Sequence, residues 1–197
     1  KLYDFFDTLT DEIAKTNETL ENKILGIIGY GSIGKEIAKR AKKFNMKIYA
    51  TKRLQKNRLS NKNVDLLLPL YEIDYLLNHS DYIVIACPLT YLTRNLINKK
   101  KFNIMNSNSI LINVSRGEII DEKELINVLI NKKIKGAALD VFNLEPLSKD
   151  SPLFNLNNVL LSPHIAGNFN NYQSNVIKAF EENLNRYINH KSLRNRV

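Results

Sequence analysis

From Lys23 onward the chain alternates short apolar runs with stretches whose apolar residues recur every three or four positions. The runs at 24–28, 47–51, 82–87, 109–114, 136–139 and 159–161 predict strands, and the stretches near 33–44, 70–78, 99–105 and 121–132 predict helices between them. Runs such as Tyr82-Ile83-Val84-Ile85-Ala86 and Ile110-Leu111-Ile112-Asn113-Val114 are nearly continuous, the pattern of strands buried on both faces. Strands and helices in alternation with short loops predict an α/β fold, a doubly wound parallel sheet flanked by helices. Asp121-Glu122-Lys123-Glu124 reads as a helix start with a capping box, and Gly136 follows where that helix should stop. Two amphipathic segments flank this core. Residues 1–22 carry Leu2, Phe5, Phe6, Leu9 and Ile13 at helical spacing, and 171–189 carry Tyr172, Val176, Phe180, Leu184, Tyr187 and Ile188. The organisation expected is a connecting or dimerisation helix over 1–22, a main domain over 23–168 and a C-terminal helix over 169–197.

Composition narrows the class. A chain of 197 residues with 44% hydrophobic content holds one good-sized core. No apolar run approaches the ~20 residues of a membrane span, and no secretory leader opens the chain. The single Cys87 excludes an internal disulfide framework and fits a reducing compartment, so the expected location is the cytoplasm. The net charge of +9 invites a nucleic-acid reading, but the lysines are dispersed along helical faces, and the longest basic run is only Lys99-Lys100-Lys101. No nucleic acid, membrane or metal is expected as a partner.

The chemistry begins at Ile24-Leu25-Gly26-Ile27-Ile28-Gly29-Tyr30-Gly31-Ser32-Ile33-Gly34, a strand running into Gly-x-Gly-x-x-Gly and then a helix. In that context the spacing is a dinucleotide fingerprint, and the fold expected is Rossmann-like. Gly29 permits the tight turn, Gly31 lets the backbone approach a pyrophosphate, and Gly34 lets the helix lie close to the strand. In the NAD version of the fold an acid at the end of the second strand holds the adenosine ribose. Here that strand ends Tyr49-Ala50-Thr51-Lys52-Arg53, and no Asp or Glu occurs between Glu36 and Asp65. Thr51, Lys52 and Arg53 suit a 2′-phosphate, so NADP(H) is favoured with NAD(H) as the alternative; Lys52 and Arg53 facing plain solvent is the other reading.

Three polar residues follow predicted strand ends. Arg116 stands in Asn113-Val114-Ser115-Arg116-Gly117, Glu145 in Asn143-Leu144-Glu145-Pro146, and His164 after Ser162-Pro163. Ligands of open parallel sheets bind beyond the strands' carboxyl ends. There a guanidinium can grip a carboxylate with two bonds, an imidazole can exchange a proton near neutrality, and a carboxylate can orient that imidazole. The set suits reduction of a 2-oxo acid: Arg116 binds the substrate carboxylate and polarises its carbonyl, and His164 protonates the oxygen. Singly, each residue also reads as surface charge, loop charge or helix cap.

The glycine loop, together with Cys87-Pro88-Leu89-Thr90, Ile112-Asn113-Val114-Ser115-Arg116-Gly117-Glu118, Leu139-Asp140-Val141-Phe142, Leu144-Glu145-Pro146-Leu147 and Ser162-Pro163-His164-Ile165-Ala166-Gly167, resembles the D-isomer-specific 2-hydroxyacid dehydrogenases. That family includes phosphoglycerate, glycerate, glyoxylate/hydroxypyruvate and D-lactate enzymes. The resemblance implies that Arg116, Glu145 and His164 match the family's catalytic Arg, Glu and His. It further implies that Ser32 and Ile33 meet the pyrophosphate through backbone groups and that Pro88 and Thr90 lie along the adenosine and phosphate. Val114, Ser115, Arg116 and Asp140 would lie near the nicotinamide, and Ala166 and Gly167 would close over it. Ala50-Thr51-Lys52-Arg53 is similar to the glyoxylate/hydroxypyruvate reductases. Formate dehydrogenases of the same superfamily carry Gln where Glu145 stands, so they are a poorer match.

Members of the family carry roughly a hundred residues ahead of the stretch resembled here, forming most of a substrate domain. This chain opens in what resembles the connecting helix, so the N-terminal part of that second domain is expected to be missing. The family also tends to dimerise through the helix before the glycine loop, which the apolar residues of 1–20 suit. The expectation is an NADP(H)-preferring oxidoreductase of small 2-oxo and (R)-2-hydroxy acids, with a homodimer as its assembly. Its rivals are a non-catalytic nucleotide-binding, corepressor-like module and a fragment that binds cofactor without turnover.

Overall fold

The computed structural model describes residues 18–194, which divide into two units, one ending at Pro163 and one beginning at His164. In the first unit eight strands form one sheet: β1 (Ile24–Ile28), β2 (Lys47–Lys52), β3 (Leu59–Asn61), β4 (Val64–Pro69), β5 (Tyr82–Ile85), β6 (Ile110–Asn113), β7 (Gly136–Leu139) and β8 (Val159–Leu161). Their order across the sheet is β3-β4-β2-β1-β5-β6-β7-β8, parallel throughout except for the antiparallel β3–β4 edge. The chain winds outward from β1 to β2 and β4, then restarts on the other side of β1 with β5. The switch point of this doubly wound sheet therefore lies between β1 and β5.

Among the described residues four helices belong to this unit: α1 (Ser32–Ala41), α2 (Ile73–His79), α3 (Lys99–Phe102) and α4 (Glu122–Ile130). Alternation along the central strands splits the core in two. Leu25 and Ile27 of β1, Ile48 and Ala50 of β2 and Val84 of β5 join Ala38 and Ala41 of α1 on one face. Ile28, Ile83, Ile85 and Leu111 point to the other face, among Leu76 and Leu77 of α2, Phe102 of α3 and Leu125, Val128 and Leu129 of α4. Each fully buried Leu or Ile stabilises the fold by roughly 1.5–3 kcal/mol, so both faces of the sheet are held independently.

The sequence pattern placed no strand between 51 and 82, where β3 and β4 lie. Residues 18–22 form a bend and a turn, and the rest of the helix expected over 1–22 falls outside the described residues. The stretch 33–44 is helix only to Ala41 and then a single 3₁₀ turn, Lys42–Phe44. Asp121 caps α4, its carboxylate accepting the Glu124 N–H at 3.3 Å. Gly136 does not stop that helix: the turn is taken by Lys132 at φ +50°. Gly136 instead opens β7, where a Cβ would sit 2.6 Å from the Asn158 carbonyl oxygen.

Asp65 on β4 ties this edge of the sheet together, accepting the Ile48 N–H at 2.7 Å and the Lys42 ammonium at 2.6 Å. Burial opposes its ionisation, but the bonds from Lys42 and Ile48 prevail and hold the carboxyl below its ordinary range. The stabilisation is thus complete above the ordinary carboxylate pKa of about 3.9 and is lost as pH falls through the depressed value. Asp65→Ala is expected to cost about 1 kcal/mol at neutral pH after solvent screening. In thermal melts the deficit should narrow on acidification to about pH 3, and a deficit that does not vary with pH would contradict this account.

The second unit holds α5 (Tyr172–Ile188), preceded by a turn in which the Phe169 and Tyr172 rings meet edge to face at 5.6 Å. After α5 the chain folds back on it, with Arg194 paired to Glu182 at 2.5 Å. Among the described residues no helix is long and apolar enough to cross a membrane.

Candidate functional site

Seven of the eight strands are mutually parallel, so their carboxyl ends share one edge of the sheet, and the first unit's predicted site residues lie along it. β1 runs into Gly29, whose φ of +104° belongs to the left-handed region that side chains avoid. A Cβ on Gly34 would sit 2.2 Å from the Gly29 carbonyl oxygen, so α1 starts this close to the strand only without one. At Gly31, by contrast, a Cβ would meet nothing within 4 Å. The chain leaves open space above the loop, and α1 begins there with no side-chain cap and no acid in its first turn. Asn98 caps α3 and Asp121 caps α4, whereas α1, like α2 and α5, starts without a side-chain cap. Ser32 and Ile33 are exposed in that first turn, whose N–H groups lack helical partners. Such a terminus fits a pyrophosphate.

The Tyr30 N–H donates to the Thr51 carbonyl at 2.8 Å, fastening the glycine loop to the end of β2, where Lys52, the last strand residue, and Arg53 after it are exposed. The carboxylates nearest in sequence are engaged by other cations: Glu36 by Arg40, Asp65 by Lys42 and Glu72 by Arg58. Thr51 departs from the expected phosphate set. It is fully buried, and its hydroxyl has no hydrogen-bond partner. What Thr51 contributes to the edge is its carbonyl, leaving Lys52 and Arg53 as the side chains suited to a 2′-phosphate.

Across the switch point, Cys87 is buried, which pushes its thiol up to about 11 and leaves no useful thiolate at neutral pH. Pro88 is exposed and Thr90 half-buried. Their loop is organised by the buried Thr93, whose hydroxyl donates to the Pro88 carbonyl at 2.7 Å and accepts the Thr90 N–H at 2.8 Å.

Beyond β6 the backbone is held by a side chain. Asn113 is fully buried; its carbonyl oxygen accepts the Ser115 N–H at 3.0 Å and its amide donates to the Arg116 carbonyl at 2.9 Å. The Ser115 hydroxyl reaches the Cys87 carbonyl, and the half-buried Val114 packs against the α1-side core. Arg116 is exposed at the rim, with one guanidinium nitrogen 2.6 Å from the Ser115 carbonyl oxygen. A Cβ on the next residue, Gly117, would lie 2.0 Å from the Phe142 carbonyl carbon, so the Arg116 and Glu145 loops meet backbone to backbone. In the second of these loops the Glu145 carboxylate accepts the Phe142 N–H at 3.0 Å, and Glu122 at the start of α4 accepts the Asn143 N–H at 3.0 Å. The buried Asp140 accepts the Ser162 hydroxyl at 2.5 Å.

The model of the D-isomer specific 2-hydroxyacid dehydrogenase NAD-binding domain matches residues 7–166. The chain belongs to this family. It is 42% identical over 146 residues to a glyoxylate reductase of Pyrococcus furiosus, covering 74% of this chain and 42% of the relative. A D-3-phosphoglycerate dehydrogenase of Methanocaldococcus jannaschii is 41% identical over 146 residues, 74% of this chain and 27% of its own length. The chain thus spans less than half the length of these curated relatives. Among solved structures, a D-isomer specific 2-hydroxyacid dehydrogenase from Xanthobacter autotrophicus in complex with NADPH superposes with a TM-score of 0.83. It is 27% identical, with 96% of this chain and 79% of that one covered. An NADPH-dependent glyoxylate/hydroxypyruvate reductase from Sinorhizobium meliloti in complex with NADP gives a TM-score of 0.82 at 25% identity, covering 96% of this chain and 62% of that one.

In this dehydrogenase domain the carboxyl edge brings together Gly29, Gly31, Ser32, Ile33, Gly34, Lys52, Arg53, Pro88, Thr90, Val114, Ser115, Arg116, Asp140 and Glu145. His164, Ala166 and Gly167 belong to the second unit, where His164 takes a left-handed φ of +55° and the Asn168 N–H closes a turn on the Ile165 carbonyl at 2.9 Å. Three supporting residues were not anticipated: Thr93, Asn113 and Glu122. Asn113 carried a legible signal, a polar residue at the end of an otherwise apolar strand, a place that demands partners for its amide. Glu122 read only as part of a capping box.

Proposed function

We propose that the chain is the cofactor half of an oxidoreductase that interconverts a small 2-oxo acid and its (R)-2-hydroxy acid, with NADP(H) preferred over NAD(H). The observation that carries the reading is the shared edge. A bare helix start beside a glycine loop, two cations at the end of β2 and a fixed arginine loop beyond β6 all lie there. When bound, the nicotinamide supplies the hydride. Arg116 grips the substrate carboxylate and polarises the neighbouring carbonyl. His164 gives its proton to the carbonyl oxygen, and Glu145 orients the imidazole. Val114, Ser115 and Asp140 would hold the nicotinamide, Pro88 and Thr90 the adenosine side, and Ala166 and Gly167 would shield the cofactor. Self-association through residues 1–20 and a cytoplasmic location belong to the same reading.

The test is nicotinamide oxidation by the purified protein with glyoxylate, hydroxypyruvate and pyruvate, beside titrations of NADPH and NADH followed by nicotinamide fluorescence. Tighter binding of NADPH is expected. Lys52→Ala/Arg53→Ala should weaken NADPH by roughly ten- to a hundredfold, two charge-assisted contacts being lost, with little effect on NADH. Equal or reversed affinities in the unaltered protein would sink the NADP assignment. A second reading rests on the chain's coverage of less than half of its relatives: by itself it binds the nucleotide without turning substrate over. Binding with no turnover of any of the three acids would favour it.

A further inference from the structure

Between β2 and β3 the chain runs through residues 53–58 without regular structure, exposed for most of its length. At its near end the Gln55 N–H closes a turn on the Lys52 carbonyl at 3.1 Å. At its far end it is fastened to the segment leading into α2. The Tyr71 hydroxyl donates to the Lys56 carbonyl at 3.2 Å, and Arg58 places Nε and Nη2 each 2.6 Å from one oxygen of Glu72. The same guanidinium lies 4.7 Å from the centre of the Tyr75 ring. Tyr75 stacks on His79 at 4.1 Å and stands 6.1 Å from the Tyr49 ring of β2, so the clamp is mounted on the strand that carries Lys52.

Six residues of exposed loop do not need three tethers for stability alone, since exposed contacts of this kind contribute little to folding. They do fix where the loop's cations sit. Glu72 takes up the charge of Arg58, while Lys52, Arg53 and Lys56 have no carboxylate partner among the described residues. Ordering a loop before a ligand arrives removes that cost from binding.

We propose that Arg58, Tyr71 and Glu72 are positioning residues for nucleotide selectivity: they hold the 53–58 loop in the shape that presents Lys52 and Arg53 to a 2′-phosphate. Arg58 acts through Glu72 and Tyr75 and is not itself a phosphate ligand. The inference rests on the NADP(H) preference proposed above, and its test separates the two.

The probes are 2′,5′-ADP and 5′-AMP, which differ in the 2′-phosphate, titrated calorimetrically into the purified protein. The unaltered protein should bind 2′,5′-ADP more tightly. Tyr71→Phe, Glu72→Gln and Arg58→Ala should each weaken 2′,5′-ADP by roughly three- to tenfold while 5′-AMP stays within about twofold, because only the loop's preorganisation is lost. Lys62→Ala, which removes a neighbouring charge without touching a tether, should change neither by more than about twofold. Retained selectivity in all three clamp variants, in a protein that prefers 2′,5′-ADP, overturns the inference and leaves the NADP(H) reading standing. Tighter 2′,5′-ADP binding by Glu72→Gln would make Arg58 a direct ligand and overturn the positioning role. Equal binding of the two probes by the unaltered protein overturns both.

Discussion

His164→Ala is expected to lower kcat for 2-oxo acid reduction by about 10²–10⁴, the range that a positioned proton donor supplies. Reduction leaves a full negative charge on the former carbonyl oxygen unless a proton arrives in step. In this chain the side chain proposed to deliver it is the imidazole that follows Ser162-Pro163. The loss should fall on kcat, with KM within a few-fold and NADPH affinity unchanged, because the donor acts in the transition state rather than in ground-state binding. Steady-state kinetics with a fluorescence titration of NADPH decide it. Unchanged kcat would remove His164 from the mechanism, and a loss matched by equally weakened NADPH binding would give it a structural role instead.

Arg116→Ala should cost about 10²–10³ in kcat/KM, the scale of removing a charged donor from an oxygen that gains charge. The structure makes this substitution clean. The loop is held by the Asn113 side chain on the Ser115 N–H and the Arg116 carbonyl, and none of these bonds depends on the guanidinium. An exposed side chain removed from such a loop should change stability by less than about 0.5 kcal/mol. Arg116→Lys keeps the charge but not the two-pronged geometry and should recover only a small part of the loss. Full activity in Arg116→Lys would show that charge alone suffices and would contradict the two-pronged grip.

Most of this architecture was legible because its strands are continuous apolar runs and its helices carry clean periodicity. β4 escaped because Val64-Asp65-Leu66-Leu67-Leu68-Pro69 breaks its apolar run with an acid and ends in proline. The acid belongs there because it serves the neighbouring strand, which no local pattern records. β3 escaped because all three of its residues, Leu59-Ser60-Asn61, are exposed on a short sheet edge. The glycine loop was legible because the close approach of α1 to β1 and a left-handed backbone impose the residue type. Thr51 was read with the cations that follow it, whereas the structure buries it directly after buried Ala50. Asn113, Thr93 and Glu122 act on backbone groups of loops, and which backbone group a side chain meets is set by the fold rather than by spacing.

The bare start of α1 has a further thermodynamic meaning. A capped helix satisfies its first turn while the chain folds, whatever else is in solution; the uncapped first turn of α1 is left to water until an anion binds there. Occupancy and folding then become linked equilibria, so that ligand bound only by the native chain raises the melting temperature in step with its concentration. The nucleotide pool around the protein would thereby set how much of it survives as well as how much of it is loaded.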